Sequence, residues 1–100
     1  MLVELNDKNF VDETKEGLKL VDFYTSWCKY CKNQNPILNE LSDKGFWIGK
    51  LDCDKNSQIA QKYDIVGFPS FILFKNGKVE VKFSGFHSKG ELLNKLISHI

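Results

Sequence analysis

Apolar and polar positions change their period along the chain, and the changes predict strands that alternate with helices. Dense apolar runs predict five strands, at 2–5, 18–25, 46–53, 71–74 and 79–83. Helical spacing predicts a helix that begins near Asn6 or Asp7, one that begins at a cysteine pair and runs to about Lys44, one at 56–63, and one at the C-terminus. The order β-α-β-α-β-α-β-β-α is typical of a mainly parallel sheet that is covered on both faces and ends in an antiparallel hairpin.

Two local signals support the C-terminal part of this pattern, a turn between strands and the start of a helix. Asn76-Gly77 separates the last two predicted strands, and this pair favours a tight hairpin turn. Ser88 and Glu91 have the spacing of a capping box, which predicts the start of the last helix. The helix then carries an apolar stripe that we expect to face the sheet: Leu92, Leu93, Leu96, Ile97 and Ile100.

Length and composition narrow the class of protein. A chain of 100 residues buries roughly 65% of its unfolded surface, so we predict one self-sufficient domain over 1–100. The 14 cationic residues are all lysine and 13 residues are acidic, for a net charge of +1. The chain has no strong electrostatic field and no arginine to bind phosphates in a bidentate way, so we expect no nucleic-acid partner. No apolar run is long enough for a membrane span and no secretory signal is visible, so we expect no membrane contact and a cytoplasmic location.

The pair Cys28 and Cys31 is the feature with the clearest chemical meaning, in the stretch Trp-Cys-Lys-Tyr-Cys at a predicted strand-to-helix junction. A helix N-terminus offers unpaired N–H groups and the positive end of the helix dipole, which stabilise a thiolate. The thiolate is the nucleophile of disulfide exchange. We therefore expect Cys28, at the start of the helix, to attack a substrate disulfide, and Cys31, one turn later, to resolve the mixed disulfide.

Two other interpretations of the pair compete with this one. A zinc site needs four ligands, and beyond the pair the chain offers only Cys53, His87 and His99, with no second Cys-x-x-Cys. A purely structural disulfide over so short a loop stabilises a fold little. A Cys-x-x-Cys beside a βαβ pattern is instead typical of a redox centre, so we predict no metal.

Several stretches together make the chain resemble the thioredoxin family over nearly its whole length. They are 21–24 (Val-Asp-Phe-Tyr), 27–32 around the cysteine pair, 36–38 (Pro-Ile-Leu), 50–52 (Lys-Leu-Asp), 67–70 (Gly-Phe-Pro-Ser), 73–77 (Leu-Phe-Lys-Asn-Gly) and 84–85 (Ser-Gly). The resemblance implies an α/β protein with the thioredoxin fold, a central mixed β-sheet flanked by four helices. It also implies reduction of disulfides in protein substrates, with electrons from an NADPH-dependent thioredoxin reductase. We expect a monomer that needs no metal or bound organic cofactor.

The resemblance also assigns roles to residues outside the pair. It implies that Asp22 is a buried acid that takes the proton from Cys31, and that Lys50 faces this acid; otherwise Asp22 is a capping or salt-bridged carboxylate and Lys50 a solvated lysine. It implies a cis peptide bond before Pro69, beside a groove for an extended peptide. The residues expected to line the groove are Trp27, Tyr30, Val66, Gly67, Phe68, Pro69, Gly85 and Phe86. Packing in the core is the alternative for each aromatic residue.

The chain departs from the family pattern between the cysteines, where Lys29 and Tyr30 replace the usual Gly-Pro. Lys29 adds a positive charge beside Cys28, and Tyr30 restores an N–H that proline lacks. Both changes stabilise the reduced form, so these two residues are expected to make the pair more oxidising than a Gly-Pro thioredoxin. Tyr24 and Ser70 stand where the family usually has tryptophan and threonine, and both changes look compatible with the pattern.

Cys53 is the third thiol, and its place in an apolar predicted strand favours a small buried side chain over a regulatory or dimer-forming thiol. Two rival functions remain beside protein-disulfide reduction. One is a glutaredoxin-like reductase coupled to a small thiol, which Tyr30 just before the second cysteine favours. The other is a thioredoxin-fold subunit kept for interactions within a larger assembly, against which the intact Cys28, Cys31, Asp22 and Pro69 speak.

Overall fold

A computed structural model describes all 100 residues, and its elements follow the predicted order. They are β1 (Leu2–Leu5), α1 (Phe10–Thr14), β2 (Leu18–Tyr24), α2 (Lys29–Asp43), β3 (Ile48–Asp52), α3 (Ser57–Lys62), β4 (Ser70–Lys75), β5 (Lys78–Ser84) and α4 (Lys89–Ser98). The predicted fold class is confirmed, since a five-stranded mixed sheet is flanked by four helices.

The strands lie in the order β1-β3-β2-β4-β5. β3 pairs in parallel with β1 and β2, whereas β4 pairs antiparallel with both β2 and β5. The expectation of a mainly parallel sheet was therefore wrong. The six residues of α3 rise only about 9 Å, less than the roughly 17 Å that the five residues of β3 span. The helix does not carry the chain back to the opposite end of the sheet, and β4 consequently runs against β2.

Alternate side chains of the strands feed two buried clusters, one on each face of the sheet. On what we call the α1/α3 face, the cluster contains Leu5, Phe10, Val21, Phe23, Leu51, Cys53, Ile59, Ile72 and Phe74. On the α2/α4 face, it contains Leu20, Leu38, Leu41, Ile48, Phe71, Leu73, Leu92 and Leu96. Burial on both faces explains why the central strands read as nearly continuous apolar runs.

The local signals at the C-terminal end act as predicted. Asn76 and Gly77 both adopt positive φ angles, 52° and 82°, as the hairpin turn between β4 and β5 requires. The Ser88 side chain accepts a hydrogen bond from the Glu91 N–H, while the Glu91 carboxylate accepts one from the Ser88 N–H, so the capping box is complete.

Two details of the helices differ from expectation. In α4, Leu92 and Leu96 are buried, but Ile97 and Ile100 are 56% and 79% exposed, because Ile97 is rotated about 100° from Leu96 and Ile100 lies beyond the end of the helix. The first helix begins at Phe10 rather than near residue 6. The Asn6 side-chain oxygen accepts hydrogen bonds from two backbone N–H groups and holds a turn there.

None of the four helices combines the length and apolar character that a membrane crossing requires.

Candidate functional site

Cys28 occupies the N-cap of α2, and Cys31 lies in the first turn of that helix. The Cys31 N–H points at the Cys28 sulfur, 3.1 Å away, where a capping oxygen usually accepts. The two sulfurs are joined as a disulfide with their Cα atoms 5.3 Å apart. Cys28 is 6% exposed and Cys31 only 2%. Helix geometry therefore presents Cys28 as the more accessible sulfur and supplies an N–H that stabilises negative charge on it.

Asp22 lies in the middle of β2, and the alternation of side chains decides which way it points. Val21 and Phe23 belong to the α1/α3 face and Leu20 to the α2/α4 face, so the Asp22 carboxyl points toward the face that α2 covers. The residue is fully buried, and neither carboxyl oxygen has a hydrogen-bond partner. Burial raises the pKa of Asp22 from 3.8 to about 7, outweighing the lowering effect of the Lys50 charge. An acid of this strength gains and loses its proton near neutral pH.

Lys50 is the register partner of Asp22 on the neighbouring strand β3. Ile48 belongs to the α2/α4 face, so Lys50, two residues later, lies on that face as well. Its ammonium donates a hydrogen bond to the Asn35 side-chain oxygen and lies 4.6 Å from the centre of the Tyr24 ring. The ion pairs in the structure do not include Lys50 and Asp22. The lysine therefore faces the acid without touching it.

Tyr24 links this cluster to the edge strand. Its hydroxyl donates a 2.8 Å hydrogen bond to Glu4 of β1. Burial, followed by the hydrogen bond and charge of Glu4, raises the pKa of Tyr24 above its ordinary value. The ring consequently stays neutral and offers its π face to the Lys50 ammonium.

Most of the residues predicted to line the groove are exposed, whereas Pro69 is buried. The exposed fractions are 68% for Trp27, 63% for Tyr30, 94% for Val66 and 45% for Phe86. Core packing, the alternative for the aromatic residues, is therefore wrong for Trp27, Tyr30 and Phe86. Phe68 is half-buried, and its ring meets Trp27 edge-on with centroids 5.8 Å apart. The peptide bond between Phe68 and Pro69 is cis, as the resemblance implied.

Hydrogen bonds hold the loops that carry the predicted groove residues. The Trp27 indole N–H donates to Asp54 at 3.0 Å, and the Gly85 N–H donates to the Pro69 carbonyl at 2.8 Å. The backbone N–H and C=O of Phe68 form no hydrogen bond within the chain. The backbone of Phe68, whose ring contacts Trp27, therefore keeps an unused donor and an unused acceptor.

Gln34 is a residue of this region that the sequence pattern did not reveal. It is fully buried in α2, where its amide donates to the His87 carbonyl at 2.8 Å and accepts from the His87 N–H at 2.9 Å. His87 is half-buried and directly follows Phe86, one of the predicted groove residues. The amide thus ties the helix of the cysteine pair to the loop after β5. A polar side chain at helical spacing between Cys31 and Leu38 was the available signal.

Replacing Gln34 with leucine should destabilise the fold, because two backbone groups of His87 lose their partners. Each unsatisfied buried group costs about 1–3 kcal/mol, and we expect a loss of about 2–4 kcal/mol in the free energy of unfolding measured in urea. Asn33→Leu on the exposed side of the same helix is the matched control, with an expected change below about 0.5 kcal/mol. Equal effects of the two substitutions would show that the amide does not tie the loop.

Cys53 lies one residue beyond β3, rather than inside a strand as predicted, and is buried. Its N–H donates to the Tyr24 carbonyl at 2.9 Å. Burial, with Asp52 as the next contribution, raises the pKa of the Cys53 thiol to about 12. The thiol is therefore protonated at physiological pH and is a poor nucleophile. Neither Cys53 nor the Cys28–Cys31 pair belongs to a group of three His, Cys, Asp or Glu side chains that could hold a metal ion.

Alkylation of Cys53 in the folded, reduced protein should be very slow. A pKa raised from 9.0 to about 12 lowers the thiolate fraction at pH 8 by about a thousand-fold. Iodoacetamide labelling followed by peptide mass spectrometry should show Cys28 modified first and Cys53 modified only after unfolding in urea. We expect Cys53→Val to keep full disulfide reductase activity. Rapid labelling in the native state, or an inactive valine variant, would argue for a redox role.

The amino-acid sequence matches a protein family and several of its members. The family model described as Thioredoxin matches residues 1–98. The chain belongs to the thioredoxin family. Thioredoxins of Staphylococcus haemolyticus and Staphylococcus epidermidis are each 38% identical to it over 102 aligned residues, which cover 99% of this chain and 98% of theirs. Family membership makes Cys28 and Cys31 the active-site pair of a thiol–disulfide oxidoreductase that reduces protein disulfides.

Solved structures show the same fold. A mutant thioredoxin from Halobacterium salinarum superposes with a TM-score of 0.90 at 24% identity, over 97% of this chain and 88% of that one.

Membership of the thioredoxin family also identifies the protein partners, which are disulfide-bearing substrates and a thioredoxin reductase.

Proposed function

We propose that this thioredoxin reduces protein disulfides by an exchange in which Cys28 attacks, Cys31 resolves and Asp22 moves the proton. The observation that carries the proposal is the fully buried, unpartnered Asp22 carboxyl on the sheet face that α2 covers. A carboxyl with a pKa of about 7 is matched to proton transfer at neutral pH. Lys50 supplies the positive charge that keeps this pKa from rising further.

The proposed exchange begins with the reduced pair. The Cys28 thiolate attacks one sulfur of the substrate disulfide, and the other substrate sulfur leaves as a thiolate that takes a proton from water. The Cys31 thiol then gives its proton to the Asp22 carboxylate and attacks the Cys28 sulfur of the mixed disulfide. The second substrate sulfur leaves as a thiolate, and the protein keeps the Cys28–Cys31 disulfide.

Substrate binding is proposed at the groove beside the pair. The free backbone of Phe68 supports pairing with an extended peptide, which obtains affinity from main-chain hydrogen bonds and little selectivity from side chains. Exposed apolar side chains of Trp27, Tyr30, Val66 and Phe86 add contact area around it. Gly67 and Gly85 complete the proposed binding surface, and the buried Pro69 shapes the backbone beneath it. Such a groove suits brief contacts with many substrate proteins.

We propose that the chain works as a cytoplasmic monomer whose reductase draws electrons from NADPH. The test is insulin reduction, followed by turbidity, with three electron sources: dithiothreitol, NADPH with thioredoxin reductase, and glutathione with its reductase. We expect rapid reduction with the first two and little with glutathione. The exposed Tyr30 before Cys31 favours the glutaredoxin-like alternative, which would require glutathione to be the efficient donor. Sedimentation at equilibrium tests the monomer.

Lys29 and Tyr30 are proposed to raise the redox potential of the pair. Both are exposed, and the Tyr30 N–H has no acceptor within the chain, so it is a free donor near the sulfurs. If together they stabilise the reduced form by about 1 kcal/mol, the potential rises by roughly 20 mV. Equilibration against a Gly-Pro thioredoxin should therefore show the double variant Lys29→Gly, Tyr30→Pro to be more reducing than the native pair. A double variant that is equally or more oxidising would contradict this role.

A further inference from the structure

Asn35 lies one helical turn after Cys31 in α2 and is half-buried. Its side-chain oxygen accepts the one hydrogen bond that the Lys50 ammonium makes. The ammonium also lies over the Tyr24 ring, 4.6 Å from its centre. Two uncharged groups, an amide and an aromatic face, therefore hold this lysine.

The Asp22 carboxyl is within the reach of the same lysine. Asp22 and Lys50 are register partners on adjacent parallel strands, where backbones lie about 4.8 Å apart, and both side chains point to the α2/α4 face. Opposite charges attract strongly in a buried setting. The carboxyl oxygens nevertheless have no hydrogen-bond partner. The spacing of the two strands does not prevent a contact between the ammonium and the carboxylate, so another interaction must hold them apart.

We propose that Asn35 is a positioning residue that holds the Lys50 ammonium against the Tyr24 ring and prevents a contact ion pair with Asp22. The amide oxygen supplies the hydrogen-bond acceptor that the ammonium would otherwise find in the carboxylate. The acid then keeps a nearby positive charge without a direct partner.

The consequence for Asp22 follows from the effect of ion pairs on acids. A contact pair with a cation lowers the pKa of a carboxyl by about 1–3, which would leave Asp22 too weak a base to take a proton from a thiol. The other titratable groups whose charge interacts with Asp22 are Glu4 of β1, Tyr24 of β2 and Cys53, which directly follows β3. Cys31 of α2 belongs to the disulfide in the oxidised protein and does not titrate there. Glu4 raises the pKa of Asp22. From β4 the facing residue is Phe71, which does not titrate.

The test is the Asn35→Leu substitution, which removes the acceptor but keeps a side chain of similar size. We expect Lys50 to close onto Asp22 and the acid dissociation constant of Asp22 to increase about tenfold. The measurement is a carbon-13 NMR titration of the Asp22 carboxyl in the oxidised protein. Asn33→Leu, on an exposed position of the same helix, should leave the titration unchanged. Asn35→Ala serves if the leucine variant does not fold.

A double-mutant cycle separates this mechanism from a general change in structure. In a Lys50→Met background, Asn35→Leu should no longer alter the titration of Asp22, because the amide acts through the lysine. An unchanged or higher pKa of Asp22 in Asn35→Leu, or the same decrease without Lys50, would overturn the proposal. The measurement does not depend on the proton-transfer role proposed for Asp22, which fails separately if Asp22→Ala resolves mixed disulfides at the native rate.

Discussion

We expect Cys31→Ser to arrest the reaction at the mixed disulfide and Cys28→Ser to abolish disulfide reduction. The first result follows because Cys28 caps α2, is the more exposed sulfur and accepts the Cys31 N–H. Without Cys31 the mixed disulfide has no internal thiol to displace it, and its lifetime is set by external reductants. Without Cys28 no nucleophile remains at the helix N-terminus, because the third thiol, Cys53, is buried with a pKa of about 12.

Trapping is measured with a substrate of one disulfide and non-reducing gels, followed by mass spectrometry of the cross-linked peptides. Both variants are best made in a Cys53→Val background, so that every adduct reports on the active-site pair. Insulin turnover by either serine variant should fall below detection. Stable adducts formed by Cys28→Ser, with normal turnover by Cys31→Ser, would reverse the assignment of the two thiols.

Asp22→Ala should slow resolution of the mixed disulfide near neutral pH. General-base assistance contributes about 100-fold or more, and this is the loss expected when the buried carboxyl is removed. Formation of the mixed disulfide should change much less, since Cys28 needs no proton acceptor once it is a thiolate. Stopped-flow fluorescence of Trp27, next to Cys28, provides separate rates for the two steps.

The pH dependence of resolution gives a sharper result. Asp22 has a pKa of about 7, so it is protonated below this pH and acts as a base only above it. The native rate of resolution should therefore rise as the pH passes through about 7. In Asp22→Ala this step should vanish, and the rate should recover only where Cys31 ionises unaided. Asp22→Asn, which keeps the size of the side chain, should match the alanine variant. A profile that the substitutions leave unchanged would remove the proton-transfer role.

Removal of the Asp22 carboxyl should increase the free energy of unfolding, although it slows the reaction. The pKa of Asp22 is higher in the folded protein than in the unfolded chain, so the fold is penalised once the unfolded carboxyl ionises. The penalty is absent below pH 3.8, grows as the pH rises and is complete above about 7. A rise from 3.8 to about 7 corresponds to a penalty on the order of 4 kcal/mol. Urea unfolding at pH 4 and pH 8 should therefore show a gain in Asp22→Asn, relative to the native protein, only at the higher pH.

Much of this architecture was predictable because its signals are local. The Asn76-Gly77 turn and the Ser88–Glu91 capping box involve residues within three positions of each other, and both form as predicted. The redox pair is local in the same sense, since Cys28 and Cys31 share one helical turn. The roles expected for Asp22 and Lys50 needed the resemblance to a family. Asp22 interrupts an apolar run, which sets it apart from an ordinary surface charge but does not assign it a proton-transfer role.

The amino-acid sequence by itself determined the order of the elements, the turn and caps, and the place of the cysteine pair at a helix N-terminus. Tertiary structure alone decided that β4 runs against β2, that Lys50 meets Asn35 and Tyr24, and that Gln34 binds His87 across 53 positions of the chain. These contacts depend on strand register and helix placement, which periodicity does not encode. The pKa of Asp22 is the clearest case, because desolvation is a property of everything packed around the carboxyl and not of its neighbours along the chain.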